Sequence, residues 1–201
     1  MNSNQNFPGN RLLISGGIIL ASQSPRRKQL LEWAEVNFEV VVKETDESYP
    51  PGLFADEIAM HIARNKALAV QEDNHFTKPV LSADTIVVLD EIVIGKPKSR
   101  EDAIATLSAL SGRKHRVVTG VIIQYKHQET AFADTTEVEF HPLTMEQIVF
   151  YVDKYKPYDK AGAYAIQEWI GVTGIKSVSG DFYNVMGLPV SRVVQALQKL
   201  G

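Results

Sequence analysis

Two serines and two arginines fall within one short stretch near the start of the chain, IILASQSPRRK at 18–28. Ile18–Leu20 is an apolar run suited to a buried strand. Ala21 and Ser22 are small and let the chain turn. Ser24-Pro25 has the form of a helix start, with Ser at the N-cap and Pro at the first helical position, where a missing N–H costs nothing. Leu30, Leu31 and Ala34 give that helix an apolar face. The helix start therefore gathers unpaired backbone N–H groups, the hydroxyls of Ser22 and Ser24, and the guanidinium groups of Arg26 and Arg27, a set suited to a phosphate chain. A capped surface helix with two solvated arginines accounts for the same residues.

Carboxylates and lysines of matching chemistry lie further on. Asp84 interrupts the apolar run PVLSADTIVVL at 79–89, which reads as a central strand. A lone carboxylate is costly to bury, so Asp84 needs a partner, a metal or a position beside a cleft. Asp46 and Glu47 follow a strand-like run at 38–42 and offer the oxygen ligands a divalent cation takes, although acidic loops are often merely solvated. Lys66 falls on the stripe Phe54, Ile58, Ile62 of an amphipathic helix read over 54–71. It either snorkels to solvent or points its ammonium at an anion in a cleft. Lys96, held between Gly95 and Pro97, is either an ordinary turn lysine or a point charge on a stiff backbone, suited to a phosphate. Gln167 ends a Gly/Ala-rich stretch at 159–167 where backbone and ligand can approach closely, and its amide can read a base edge or cap a loop.

Composition bounds the classes. The chain has 201 residues, 44% of them hydrophobic and 22% charged, enough for one sizeable core. A net charge of −3 argues against broad nucleic-acid binding while leaving room for a local cationic pocket. With no cysteine there is no thiol nucleophile, disulfide or thiolate zinc site. The histidines at 61, 75, 115, 127 and 141 lack the close pairing of a zinc or diiron site. Neither the G-x-x-x-x-G-K-[ST] loop nor the G-x-G-x-x-G fingerprint occurs. No apolar run is long enough to span a membrane. Arg11 and the run LLISGGIIL bear a weak likeness to a signal peptide, interrupted by Gly16-Gly17. The expectation is a flexible leader over 1–17, polar over 1–10, on a cytoplasmic protein.

The elements that must position these groups are read in order. A helix over 99–111 has Ser99 as N-cap and Gly112 as its stop. The basic run at 113–116 reads as a solvated connection. Strands follow at 117–125 and 133–140, the second with the alternation of a half-buried edge. Ile92–Ile94 reads as a hairpin partner of the central strand. Thr144 and Gln147 have capping-box spacing. Residues 175–178 and 183–186 read as a hairpin around Gly180-Asp181, and 189–200 as a closing helix.

Eight motifs, LASQSPRRKQLL, DES, ARNKA, SADTIV, GKP, LSGRKHRVVTG, DKAGAYAIQ and NVMGLP, occur in that order over nearly the whole chain. Together they resemble the Maf family of nucleoside triphosphate pyrophosphatases. The resemblance implies a mixed α/β fold, an extended central sheet flanked by helices with two lobes around a nucleotide cleft, in one domain over 18–201. It implies divalent-metal-dependent hydrolysis, with Mg²⁺ or Mn²⁺, of a nucleoside triphosphate to the monophosphate and pyrophosphate. By motif match, Asp84 is the general base, Glu47 joins Asp84 at the metal, and Ser22, Ser24, Arg26, Arg27, Lys66 and Lys96 bind phosphate. The family's dTTP/UTP branch has Arg, Thr and Gln at the positions of Arg26, Thr85 and Gln167, whereas its 7-methyl-GTP branch has Trp, Gln and Glu there. The match implies dTTP, UTP and modified pyrimidine nucleotides as substrates and removal of non-standard nucleotides as the role. Ala165 and Glu168 stand where glycine is common in the family and flank Gln167. A homodimer is implied by resemblance alone. A nucleotide-binding regulator of septation, with incidental hydrolysis, is the reading of a different class; Asp84, Glu47, Lys66 and Lys96 favour the enzyme, since a pure binder needs no base.

Overall fold

Seven strands form one mixed sheet in the computed structural model of the protein, which describes residues 16–72 and 77–200. The leader read over 1–17 lies outside the described residues except for Gly16 and Gly17, as does His75. In chain order the elements are β1 (Ile18–Leu20), α1 (Pro25–Trp33), β2 (Phe38–Val40), α2 (Ala55–Glu72), β3 (Val80–Leu89), β4 (Ile92–Ile94), α3 (Arg100–Leu110), β5 (Lys114–Tyr125) and β6 (Gln128–Phe140). Then come α4 (Met145–Tyr155), a 3₁₀ turn (Ala161–Ala163), α5 (Trp169–Gly174), β7 (Ile175–Ser179), α6 (Phe182–Met186) and α7 (Val190–Gln198). The sheet order is β2-β1-β3-β5-β6-β7, with β4 paired to the end of β3. β1 runs parallel to β2 and β3, and the remaining pairings are antiparallel. This is the expected mixed α/β architecture, a central sheet flanked by helices.

β3 separates the two faces by alternation. Leu81, Ala83, Val87 and Leu89 join the larger core, shared with α1, α3, α4 and α7. Val80, Ile86 and Val88 turn the other way, into the smaller clusters under α2. α2 approaches the sheet through Ala59, Ala63 and Ala67, all fully buried. Its closest approach is at Gly120 of β5, where an added Cβ would lie 2.3 Å from the Ala59 carbonyl carbon and the Met60 nitrogen. The Ser82 hydroxyl donates to the Ala63 carbonyl at 2.7 Å, fixing the helix against β3.

β3 is paired with β5 from Val80 to Val88 along one edge. On its opposite edge β1 meets only Val80 and Leu81, and β4 meets only Val87, Val88 and Leu89. Among the described residues no strand pairs with the intervening length, 82–86, on this edge, and Asp84 sits at its middle.

Four expectations are corrected. Residues 183–186 are not a strand: the Asp181 carboxylate accepts from the Tyr183 N–H at 2.8 Å and caps α6, which stops at Gly187 with φ +114°. β7 pairs with β6 instead, so β6 is not an edge. The run 113–116 is not a loop, because β5 begins at Lys114 and buries His115 between outward-facing Lys114 and Arg116. Phe54 lies before α2 and is 75% exposed, while Ile58 and Ile62 of the same stripe are buried against Ile86, Val88 and Val118 beside the alanines.

Gly120→Ala is expected to cost about 3 kcal/mol in urea unfolding, since the new methyl meets helix backbone that cannot rotate aside. An unchanged unfolding midpoint would mean that α2 is not anchored there.

Candidate active site

The turn from β1 into α1 folds as its residue types dictate. Ser24 caps α1, its hydroxyl oxygen accepting from the Arg27 N–H at 3.4 Å, with Pro25 as the first helical residue. Ser22 Oγ accepts from the Ser24 N–H at 3.2 Å and from Arg27 Nη1 at 3.1 Å. Both hydroxyls thus serve as acceptors inside the turn and keep a proton to donate, and both residues line a cavity of about 750 Å³.

Arg27 itself is enclosed. Its Nε donates to the Gly187 carbonyl at 2.7 Å and its Nη2 to Thr85 Oγ1 at 3.0 Å. Burial pushes its pKa down from the usual guanidinium value, opposed by the charge of Asp84. Arg27 thus ties the β1–α1 turn, β3 and Gly187 together while it also lines the cavity. Thr85 also contacts Thr119 Oγ1 at 2.9 Å.

In the gap along β3, Asp84 faces α2 and is 8% exposed. Lys66, on α2 beyond the Gly120 contact, donates to Asp84 Oδ1 at 2.6 Å and to Glu47 Oε1 at 2.8 Å. Glu47 Oε2 lies 3.5 Å from Lys96 Nζ. Burial raises the Glu47 carboxyl, but the hydrogen bond and charge of Lys66, with Lys96, bring it below the usual carboxylate range. Lys96 follows β4, whose outgoing backbone is fixed when the Gly162 N–H donates to the Gly95 carbonyl at 3.2 Å. Two carboxylates and two ammonium groups thus converge from four separate segments.

The cavity lining also includes Arg26, Lys43, Glu44, Asp159 and Lys160. Its six cationic and four acidic side chains make it net positive in a chain whose overall charge is −3. That favours an anion. Lys160, which sequence reasoning missed, is buried, with Nζ 2.8 Å from Asp159 Oδ1 and 3.5 Å from Glu168 Oε1. Its signal was present in DKAGAYAIQ, in a lysine beside small residues. Gln167 is exposed and is not among the cavity's lining residues, whereas Tyr164 and Ala165 are.

Asp84 and Glu47 suit a divalent cation. A Mg²⁺-type ion in a phosphate site takes one or two carboxylates, its other ligands coming from phosphate and water. Among the described residues no group of three His, Asp or Glu side chains converges, so a fully protein-built metal cage is not formed.

Behind the cavity, His115 Nε2 lies 2.8 Å from the Tyr164 hydroxyl, and the ring stacks on Phe140. Burial pushes the imidazole down to about 4 and raises the Tyr164 phenol. His115 holds a residue of the cavity wall while remaining neutral.

The class defined by this fold and site is a mixed α/β protein whose interrupted sheet opens onto a cationic cavity holding paired carboxylates. Residues 17–200 match the family model described as Maf-like protein, and the chain belongs to that family. It is 50% identical over 183 residues to the dTTP/UTP pyrophosphatase of Cytophaga hutchinsonii, covering 91% of this chain and 84% of that protein. It is 48% identical over 184 residues to the dTTP/UTP pyrophosphatase of Bacteroides thetaiotaomicron, covering 91% and 95%. Among solved structures, that of the Staphylococcus aureus Ham1 protein is similar at a TM-score of 0.42 and 17% identity, over 61% of this chain and 71% of that one.

His115 gives a pH prediction. Its folded value, about 4, lies below the unfolded 6.5, so the unfolded chain binds the extra proton between them. Stability is therefore full above about pH 6.5 and falls toward pH 4, by about 3 kcal/mol over the interval. Urea unfolding of His115→Gln at pH 7.5, 6 and 5 should lack this component, and parallel losses in both proteins would refute it.

Proposed function

We propose that this chain hydrolyses dTTP and UTP, and modified pyrimidine nucleotides of the same shape, to the nucleoside monophosphate and pyrophosphate. The observation that carries the reading is Asp84, held by Lys66 in the gap of the sheet beside Glu47 and Lys96 in a net cationic cavity. Membership of the Maf-like family and the names of its relatives support the substrate class.

In the reaction, a water oxygen forms a bond to the α-phosphorus as the bond from that phosphorus to the α,β-bridging oxygen breaks. Asp84 orients the water and takes its proton, and pyrophosphate departs. Lys66 holds the Asp84 carboxylate in one orientation, and Lys96 and Arg26 set positive charge where negative charge grows. Ser22 and Ser24 donate their hydroxyl protons to phosphate oxygens. Asp84 and Glu47 would hold the divalent cation, Mg²⁺ or Mn²⁺, which supplies charge neutralisation at the phosphates when bound. Pyrimidine preference is carried by Arg26 and Thr85, which line the cavity, together with Gln167 at its outside. The reading includes a cytoplasmic nucleotide-pool role; no helix among the described residues is long and apolar enough to cross a membrane.

Pyrophosphate release with Mg²⁺ or Mn²⁺ should be fast from dTTP and UTP and slow from CTP, GTP and 7-methyl-GTP. Asp84→Asn should lower it by at least about 100-fold with nucleotide binding retained. Preference for 7-methyl-GTP would overturn the specificity while keeping the chemistry. Binding without release from any nucleotide would replace the enzyme with a nucleotide-binding regulator.

A further inference from the structure

Asp159 carries a carboxylate that the reaction does not use. Its Oδ2 lies 3.3 Å from Arg26 Nη1 and its Oδ1 lies 2.8 Å from Lys160 Nζ, so a single anion bridges a cation of α1 and the lysine next to it in sequence. All three residues line the cavity. The two cations are sheltered, with side chains 20% and 9% exposed, while the Asp159 side chain is 58% exposed. Lys160 does not need Asp159 for charge balance. Glu168, which is not a lining residue, lies 3.5 Å from the same ammonium and is itself held by the Tyr151 hydroxyl. Asp159 is thus the exposed partner of two sheltered cations, and it bridges them as a phosphate group can bridge an arginine and a lysine. Attraction to both cations brings its carboxyl below the usual range despite burial, so it is ionised and competes as an anion at neutral pH.

We propose that Arg26 and Lys160 form a seat for the pyrophosphate portion of the substrate, and that Asp159 fills this seat as an internal anion which the substrate displaces. Asp159 then swings into solvent, and it returns as pyrophosphate leaves, lowering product retention. Lys160 thereby becomes a substrate-binding residue, and Asp159 sets how tightly phosphate is held. The proposal rests on the triphosphate reading above, but the seat is testable without turnover.

The experiment is calorimetric titration of the full chain with inorganic pyrophosphate, without added metal and at low salt. Asp159→Asn should bind about three- to tenfold more tightly than wild type, because two partly exposed competing ion pairs are gone. Lys160→Gln should bind about tenfold more weakly; if it does not fold, Arg26→Gln serves in its place. Asp153→Asn, which removes the same charge from a surface pair with Arg100 outside the cavity, should match wild type. Equal or weaker binding by Asp159→Asn would overturn the proposal, since Asp159 would then organise the cations rather than compete for them. Absence of pyrophosphate binding in wild type and Asp159→Asn alike would overturn it too. The expected binding pattern without nucleotide hydrolysis would sink the pyrophosphatase reading and leave the anion seat standing.

Discussion

Helix α2 lies so close to the sheet that one position of β5 has no room for a side chain. Gly120 meets the backbone of Ala59 and Met60, and alanines at 59, 63 and 67 keep the rest of the interface thin. Because Asp84 and Gly120 are register partners, the same approach brings α2 over Asp84. Lys66 is within reach of the carboxylate for that reason. A larger residue at Gly120 would lift the helix and separate the pair, leaving Asp84 nearly buried without its counter-charge. Such an uncompensated charge is among the most costly defects a fold can hold. The geometry of the candidate site and the packing of the smaller core are therefore one constraint.

Sheet connectivity supplies the opening. β1 stops at Leu20 because the Ser-Pro turn begins there, and β4 is short because it follows a tight return at Asp90 and Glu91, both with positive φ. Neither reaches the middle of β3. A continuous neighbour would have sealed Asp84 into the sheet; two short ones leave the carboxylate beside the cavity while β5 keeps β3 straight along the other edge. β3 alternation then divides labour across the gap. Asp84 faces the lysine of α2, and Thr85, one residue later, faces the arginine of α1.

Much of this was legible in sequence because it is local. Ser24-Pro25, Ser99 and the Thr144–Gln147 box cap helices as their side chains require. The strand around Asp84 and the anomaly of its charge were visible as a polar residue in an apolar run. What could not be read depended on partners distant in the chain. His115 sat in a basic run that looked solvated, and only pairing with β6 turns it inward toward Tyr164. Residues 183–186 have strand-like composition, yet Asp181 capping and the buried Asn184, which donates to the Val117 and Asp134 carbonyls, make them helical. Lys160 was hidden for the same reason: besides its neighbour Asp159 it meets Glu168, whose carboxylate is held by the Tyr151 hydroxyl.

Arg26 and Arg27 show how far residue type alone can carry a functional reading. They are identical in chemistry and adjacent, but successive residues of a helix point about 100° apart. Arg26 turns toward Asp159 at the cavity wall. Arg27 turns into the protein, where oxygens of Ser22, Thr85 and Gly187 hold it. Those contacts join the turn after β1, the middle of β3 and the end of α6. Thr85 extends the link to Thr119 on β5, whose hydroxyl donates to the Asn184 carbonyl at 3.3 Å. A guanidinium so enclosed is held in place, and its bonds keep Ser22 and Thr85 in register. The two arginines take different partners because the helix turns them to different sides.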